Sequence, residues 1–233
     1  MRRGLTASTR QTIASIFRML DYDVLGRLYC DEGGDAFWRA KRRPCRQSGI
    51  TLAEALLSRL KPGGRSLYVG AGVAEIPVLA METLELGRQV LVHNLRRMEV
   101  QSLNRACQSL PFKFRAQDAG RAAGRFDHLW IVSVLNDPER FPQLSPLSYG
   151  RANPLTFQPA RFAAERRIVR TLADRCLRKL TLPALVTTST EELLWIAEWC
   201  HHRRIFYRVE KKEYPTAIVG DPVCFVRVGE GRR

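Results

Sequence analysis

Apolar residues fall along this chain in two patterns, helical spacing and short continuous runs. In "TRQTIASIFRMLDYDVLGRLY", Ile13, Ile16, Phe17, Leu20 and Val24 share the spacing of one continuous helix face. Gly33 and Gly34 then break the pattern. "TLAEALLSRL" is a second amphipathic stretch, ended by "KPGG". Beyond it, short apolar runs alternate with helical patterns. "RSLYV" reads as a strand, followed by a helix from about Glu75 to Leu86 that stops at Gly87. "QVLVH" is the next strand, with a helix through "MEVQSLNRACQSL" behind it. "FKFRA" and "FDHLWIVSV" are the third and fourth strands. After a long loop, "FAAERRIVRTLADRCLRKL" aligns Val169, Leu172, Cys176 and Leu180 on one helical face. "PALVTT" is a fifth strand. Ser189 and Glu192 have capping-box spacing before the helix "EELLWIAEWC". "RIFYRV" and "PVCFVRV" are two closing strands.

Strands that alternate with helices predict an α/β fold with a mainly parallel sheet and right-handed crossovers. The last two strands depart from that rhythm. "EKKEYPTAIVGD" between them has no room for a crossover helix, so the final strand is expected to run antiparallel. Residues 1–60 read as an N-terminal helical extension and residues 61–233 as the α/β domain.

The stretch "SLYVGAGVAEIPVL" carries candidate chemistry. Gly70 and Gly72 follow the first strand, where glycine lets a ligand approach the backbone closely. A dinucleotide site needs a small residue at position 75, and the carboxylate of Glu75 would face the pyrophosphate. A ligand with an amino group tolerates Glu75 better. Neither a phosphate loop nor a nucleophilic triad is readable, and "KPGGRS" lacks the glycine and Gly-Lys-Ser/Thr that a phosphate loop requires.

The element order, the glycine turn and the hairpin-like end together resemble the class I S-adenosylmethionine-dependent methyltransferases, over roughly Leu52 to Val228. The resemblance implies a three-layer, Rossmann-like fold with a seven-stranded, mostly parallel sheet, an antiparallel last strand and N-terminal helices. It implies S-adenosylmethionine as cofactor and methyl transfer as activity. Gly70 and Gly72 match the family pattern acidic-x-Gly-x-Gly-x-Gly. Tyr68 stands at its acidic position and Ala74 at its third glycine. The implied cofactor contacts are Tyr68, Gly70, Ala71, Gly72, Glu75, Asn94 and Asp118. Asn94 ends "LVHN", where the family places a carboxylate on the ribose hydroxyls, so an Asp at 94 would restore that group. Asp118 lies in "RAQDAG", where the family meets the adenine amino group.

Substrates in the family meet the cofactor beside the fourth strand, here "VSVLNDPERF". Asn136-Asp137-Pro138-Glu139 partly resembles the Asn-Pro-Pro-aromatic motif of amino-group methyltransferases. Asp137 replaces the first proline, and no aromatic follows Pro138. The loop from Asp137 to Pro159 holds five prolines and reads as a lid or acceptor pocket. Asn136, Asp137 and Tyr149 are the candidate catalytic residues, and Asp137 or Glu139 could act as base. Arg151 and Asn153 are further polar candidates in the loop. Transfer from an activated sulfonium needs mainly alignment and desolvation.

Composition bounds the picture. The chain has 233 residues, 45% hydrophobic, enough for one sizeable core. Six cysteines without a CxxC pair predict reduced, mostly buried thiols. Neighbouring side chains in "WCHH" point apart on a helix, so no metal is expected. The apolar runs are too short to span a bilayer, and the N-terminus lacks a signal-like apolar core. No membrane association and a cytoplasmic location follow as expectations. The net charge of +15, from 32 Arg and 6 Lys against 23 acidic residues, favours polyanions or is a solvated basic surface. Its densest segment is "FWRAKRRPCR", aromatics beside cations, as in single-strand binders or in a short basic loop. The expected partner is a small-molecule acceptor or a nucleic acid. Two rival functions stay open: an inactive methyltransferase-like binding protein, and a nucleic-acid-binding protein with or without methyl transfer. Oligomeric state is not legible.

Overall fold

A computed structural model describes residues 4–29, 34–148, 150–218, 220–229 and 231. The chain forms two compact units. The first takes the chain up to Ala123 together with the segment that starts at Tyr214. It holds α1 (Ala7–Met19), α2 (Tyr22–Tyr29), α3 (Gly34–Leu57), β1 (Arg65–Val69), α4 (Ile76–Leu84), β2 (Gln89–Asn94), α5 (Arg97–Ala106) and β3 (Phe114–Ala116). The second takes Gly124–Glu213 and the segment from Asp221. It holds β4 (Phe126–Ile131), α6 (Leu144–Ser148), α7 (Pro159–Leu177), β5 (Leu180–Ser189), α8 (Leu193–His202), β6 (Tyr207–Val209) and β7 (Val223–Val228). The seven strands form one sheet in the order β3-β2-β1-β4-β5-β7-β6.

In the first unit, β1 pairs in parallel with β2, and β2 with β3. Ser66 to Val69 are all buried, as a strand covered on both faces requires. In the second unit, β4 and β5 run parallel, whereas β7 is antiparallel to both β5 and β6. The expected antiparallel last strand is therefore present.

Local chemistry corrects several sequence expectations. The first helical pattern is two helices, not one. Leu20 is extended (φ −63°, ψ 133°), and the Asp21 carboxylate accepts from Val24 N at 3.0 Å, which starts α2 anew. The basic segment Phe37–Arg46 is neither a loop nor separate from "TLAEALLSRL": α3 runs through the first and on to Leu57 of the second, whose last three residues form a turn. Trp38, Cys45, Ile50, Ala53 and Leu57 supply the buried side that keeps this helix on the fold. Gly34 opens α3 rather than breaking the chain, while Gly33 lies outside the described residues. α4 ends at Leu84, and Gly87 follows with φ +57°. The Ser189–Glu192 capping box does not form: Ser189 makes no side-chain cap bond, and Glu192 has other partners, described below. The proline-rich loop contains a short helix, α6.

Cys45, Cys107, Cys176, Cys200 and Cys224 are free and buried, and Cys30 lies outside the described residues. Burial pushes the thiols of Cys45 and Cys107 up to about 12. Among the described residues, no helix is long and apolar enough to cross a membrane, and no group of His, Cys, Asp and Glu side chains is placed to hold a metal ion.

Candidate cofactor site and the loop after the fourth strand

β1 ends at Val69, and the chain turns at Gly70, which is exposed and has φ +72°. That left-handed conformation favours glycine because no Cβ is present to clash. Ala71 N then donates to His93 O at 3.1 Å, tying the turn to β2. A 3₁₀ turn, Val73–Glu75, leads into α4. The Glu75 carboxylate folds back and accepts from Gly72 N at 2.7 Å. It thereby takes a backbone donor at the positive end of the helical segment, the place where a phosphate would otherwise bind.

α3 supports this turn from outside. Gly49 lies so close that a Cβ there would stand 2.8 Å from Ala74 O and 2.6 Å from Pro77 Cγ. A larger residue would push α3 off the turn.

Asn94 is buried at the end of β2. Its Nδ2 donates to Ala71 O at 2.9 Å and to Glu99 Oε2 at 3.1 Å, and its Oδ1 accepts from Arg96 N at 2.8 Å. The amide thus fastens the end of β2 to the glycine turn and to the first turn of α5. Glu99 is a buried carboxylate at this corner that no sequence motif marked. The Asp118 carboxylate accepts from Gly120 N at 2.8 Å and caps the 3₁₀ turn Ala119–Arg121, which packs against β1 and β2.

Tyr68 faces the interior. Its hydroxyl donates to Glu82 Oε1 at 2.6 Å, Ser66 Oγ donates to Glu82 Oε2, and Arg88 Nε donates to the same Oε2 at 2.9 Å. Arg88 also donates to Lys61 O at 2.6 Å. The pair Arg88–Glu82 is fully buried. Burial, and then the Glu82 charge, push the Tyr68 phenol well above its ordinary range. A carboxylate therefore does sit beside β1, contributed by α4 and not by the strand. The clue in the sequence was a lone Glu within the apolar "IPVLAMETL".

In the second unit, the chain leaves β4 through Ser133, whose φ is +56°. Glu192, fully buried in the 3₁₀ turn between β5 and α8, gathers this segment. Its carboxylate accepts from Ser133 N at 2.9 Å, from Val134 N at 2.5 Å and from Leu135 N. Burial pushes the Glu192 carboxyl up to about 7, against the pull of the three backbone N–H groups. Asn136 follows, 1% exposed. Its Oδ1 accepts from Trp195 Nε1 and from Ser148 Oγ, both at 3.4 Å, and its buried Nδ2 has no partner among the described residues. The indole N–H can only donate, which fixes the amide with oxygen toward Trp195. The half-buried Asp137 accepts from Glu139 N at 2.9 Å and stabilises the turn. Tyr149 lies outside the described residues.

A cavity of about 420 Å³ lies in the second unit against α7 and α8, with Asp174, Trp195, Glu198, Trp199 and Arg203 in its wall. Its charges are paired: Arg203 with Asp174 at 2.9 Å, and Arg170 with Glu198. On α3, Arg39, Arg42, Arg43 and Arg46 stand at i, i+3, i+4 and i+7, one stripe along the helix.

No protein-family model matches the chain, and no curated protein matches it in sequence. Solved structures do match in fold. Magnesium protoporphyrin IX methyltransferase from Synechocystis PCC 6803 with bound S-adenosylmethionine superposes with a TM-score of 0.56 at 12% identity, over 97% of this chain and 99% of that one. Precorrin-6y C5,15-methyltransferase from Geobacter metallireducens GS-15 gives a TM-score of 0.49 at 12% identity, over 78% of this chain and 89% of that one. With its sheet order, its glycine turn after β1 and its antiparallel β7, the chain has the fold of the class I S-adenosylmethionine-dependent methyltransferases.

Proposed function

We propose that this protein is an S-adenosylmethionine-dependent methyltransferase whose cofactor sits at the glycine turn after β1. The observation that carries the reading is the bond from Gly72 N to Glu75 at 2.7 Å. A free helical N-terminus favours phosphate, whereas one already holding a carboxylate favours a cation. S-adenosylmethionine presents an ammonium and a sulfonium beside one α-carboxylate, a net positive charge, and no phosphate. Gly70, exposed and without a side chain, leaves the strand end open. Asp118 adds a second carboxylate on a turn packed against β1 and β2. Asn94 serves by holding Ala71, and Tyr68 by filling the interior behind the turn.

The bound cofactor supplies an activated methyl group. The chain's own residues then orient the acceptor and exclude water. The segment after β4, with Asn136 and Asp137, is the proposed acceptor side, and Asp137 is the proposed base for a protonated acceptor. We propose a small-molecule acceptor. Six arginines, Arg88, Arg161, Arg170, Arg178, Arg203 and Arg227, are held by carboxylates of the fold, Arg178 and Arg203 by the same Asp174, so these six are engaged within the chain, although the net charge of +15 is unchanged by such pairs. The α3 arginine stripe favours a second reading, a nucleic-acid acceptor.

Calorimetry and thermal shift with S-adenosylmethionine and S-adenosylhomocysteine test the cofactor assignment. Saturable binding with a rise in Tm supports it. No heat and no shift at millimolar ligand would leave a methyltransferase-like binding protein.

A further inference from the structure

Glu192 is the feature of the second unit that neither the fold nor the proposed chemistry explains. A carboxylate with no exposed surface is costly unless donors meet it. Here three consecutive backbone N–H groups do so, from residues 57 to 59 positions earlier in the chain. Two of the three donate to Oε1 and one to Oε2, so both oxygens must act as acceptors. That geometry suits the ionised form, because a proton on either oxygen would face a donor. The clamped segment begins with Ser133 in the left-handed region, a conformation a non-glycine residue keeps only where surrounding bonds hold it. It leads directly into Asn136 and Asp137, and Asn136 is bonded to Trp195 on α8, the helix that Glu192 precedes. One short stretch, Glu192 to Trp195, therefore grips the exit of β4 at two points.

We propose that Glu192 is a positioning residue: its ionised carboxylate sets the β4 exit so that Asn136 and Asp137 face the acceptor, without itself touching either substrate. This rests on the methyltransferase reading for its purpose but not for its geometry. The groups facing Glu192 are the three N–H donors after β4, Thr188 Oγ1 on β5 at 3.4 Å, the Ser189 hydroxyl at the end of β5, and the Cys224 thiol on β7, with Glu191 beside it on the same turn. Burial holds the Cys224 thiol at about 12, so it stays neutral while Glu192 titrates. The acceptor side should then assemble as pH rises through about 7 and loosen below it.

The test is an NMR pH titration of the whole chain, following the amides of Ser133, Val134 and Leu135 and the indole N–H of Trp195. In the wild type all four should shift together with a midpoint near 7. In Glu192→Gln the titration should vanish, and the Trp195 signal should be displaced at every pH. In Glu192→Asp the midpoint should move. If Glu192→Gln fails to fold, the wild-type titration alone decides. Amides that do not titrate, or a Trp195 signal indifferent to Glu192, would overturn the proposal. Binding of S-adenosylhomocysteine is measured in parallel at pH 6 and pH 8. Its absence at both would count against the cofactor assignment and leave the clamp standing.

Discussion

Asn94 Nδ2 donates to Ala71 O at 2.9 Å, and this bond joins the end of β2 to the turn that ends β1. The same nitrogen reaches Glu99 at 3.1 Å. Both partners are acceptors, so position 94 requires a donor. From the family pattern alone, Asn94→Asp should be harmless or helpful. The contacts argue the reverse: Asp has no proton for Ala71 O and sets a second carboxylate against Glu99. Asn94→Asp should lower stability by about 1–3 kcal/mol, with Asn94→Leu similar, because each leaves buried acceptors unpaired. Chemical denaturation measures this, and an Asp variant as stable as wild type would refute it.

Gly49→Ala should act on the glycine turn from the far side. The added Cβ would meet Ala74 O at 2.8 Å, and a backbone atom cannot swing away as a side-chain tip can. Overpacking of this kind costs about 1–3 kcal/mol. Affinity for S-adenosylhomocysteine should fall with it, since the displaced element carries Glu75. Thermal unfolding and calorimetry on one preparation separate the two effects.

Arg88→Met should be among the most damaging single changes outside the apolar core. It leaves the buried Glu82 carboxylate, which the Ser66 and Tyr68 hydroxyls also meet, without its arginine. Stripping one partner from a buried ion pair costs about 3–5 kcal/mol. The double variant Arg88→Met with Glu82→Leu should recover much of that loss, which a urea double-mutant cycle would reveal. Equal instability of the single and double variants would show that the charge is not the cause.

Glu192 gives the fold a pH dependence of defined sign. Its carboxyl is raised from 4.5 to about 7 by burial. Between those values the folded chain holds a proton that the unfolded chain has released. The stabilisation is complete below about 4.5 and is lost as pH rises through about 7, roughly 3 kcal/mol in all. Urea midpoints at pH 5 and pH 8 should differ accordingly in wild type and much less in Glu192→Gln. The ionised form that sets the β4 exit is thus the less stable one, a familiar exchange of stability for function.

The arginine stripe on α3 has its own test. If it meets nucleic acid, binding should weaken with salt at a log-log slope of about −0.7 per phosphate contact on single strands. The pair Arg42→Glu and Arg43→Glu should flatten that slope by one to two contacts. No RNA or DNA binding at physiological salt, or equal binding to heparin, would mark the stripe as solvated surface.

The strands and most crossovers were legible because short apolar runs give way to apolar residues at helical spacing where strands give way to helices. The glycine turn was legible because Gly70 needs its positive φ. What failed was local and polar. Asp21 acts as a cap in the middle of a continuous apolar pattern, so periodicity joined two helices into one. Phe37–Arg46 reads as a single-strand-binding cluster or a short basic loop until Trp38 and Cys45 are seen to bury one side of it. Glu192 was noticed beside Ser189 at three-residue spacing, but its partners lie more than fifty residues upstream, and no local pattern encodes that distance. Glu82 and Glu99 have nearer partners, Ser66, Tyr68 and Arg88 for the one and Asn94 for the other, but these meet only when strand and helix pack together. A buried carboxylate is recognised by its donors, and those arrive only with the fold.

The carboxylate that Glu75 places on Gly72 also bears on selectivity. A helical N-terminus is an open invitation to any anion in solution, and many metabolites carry phosphate. Here the invitation is answered from within the chain. A tethered carboxylate competes at every encounter, since its local concentration does not depend on the medium. On the proposed reading of this turn as the cofactor site, Glu75 would act as an internal occupant that disfavours phosphorylated competitors without any bulky gate.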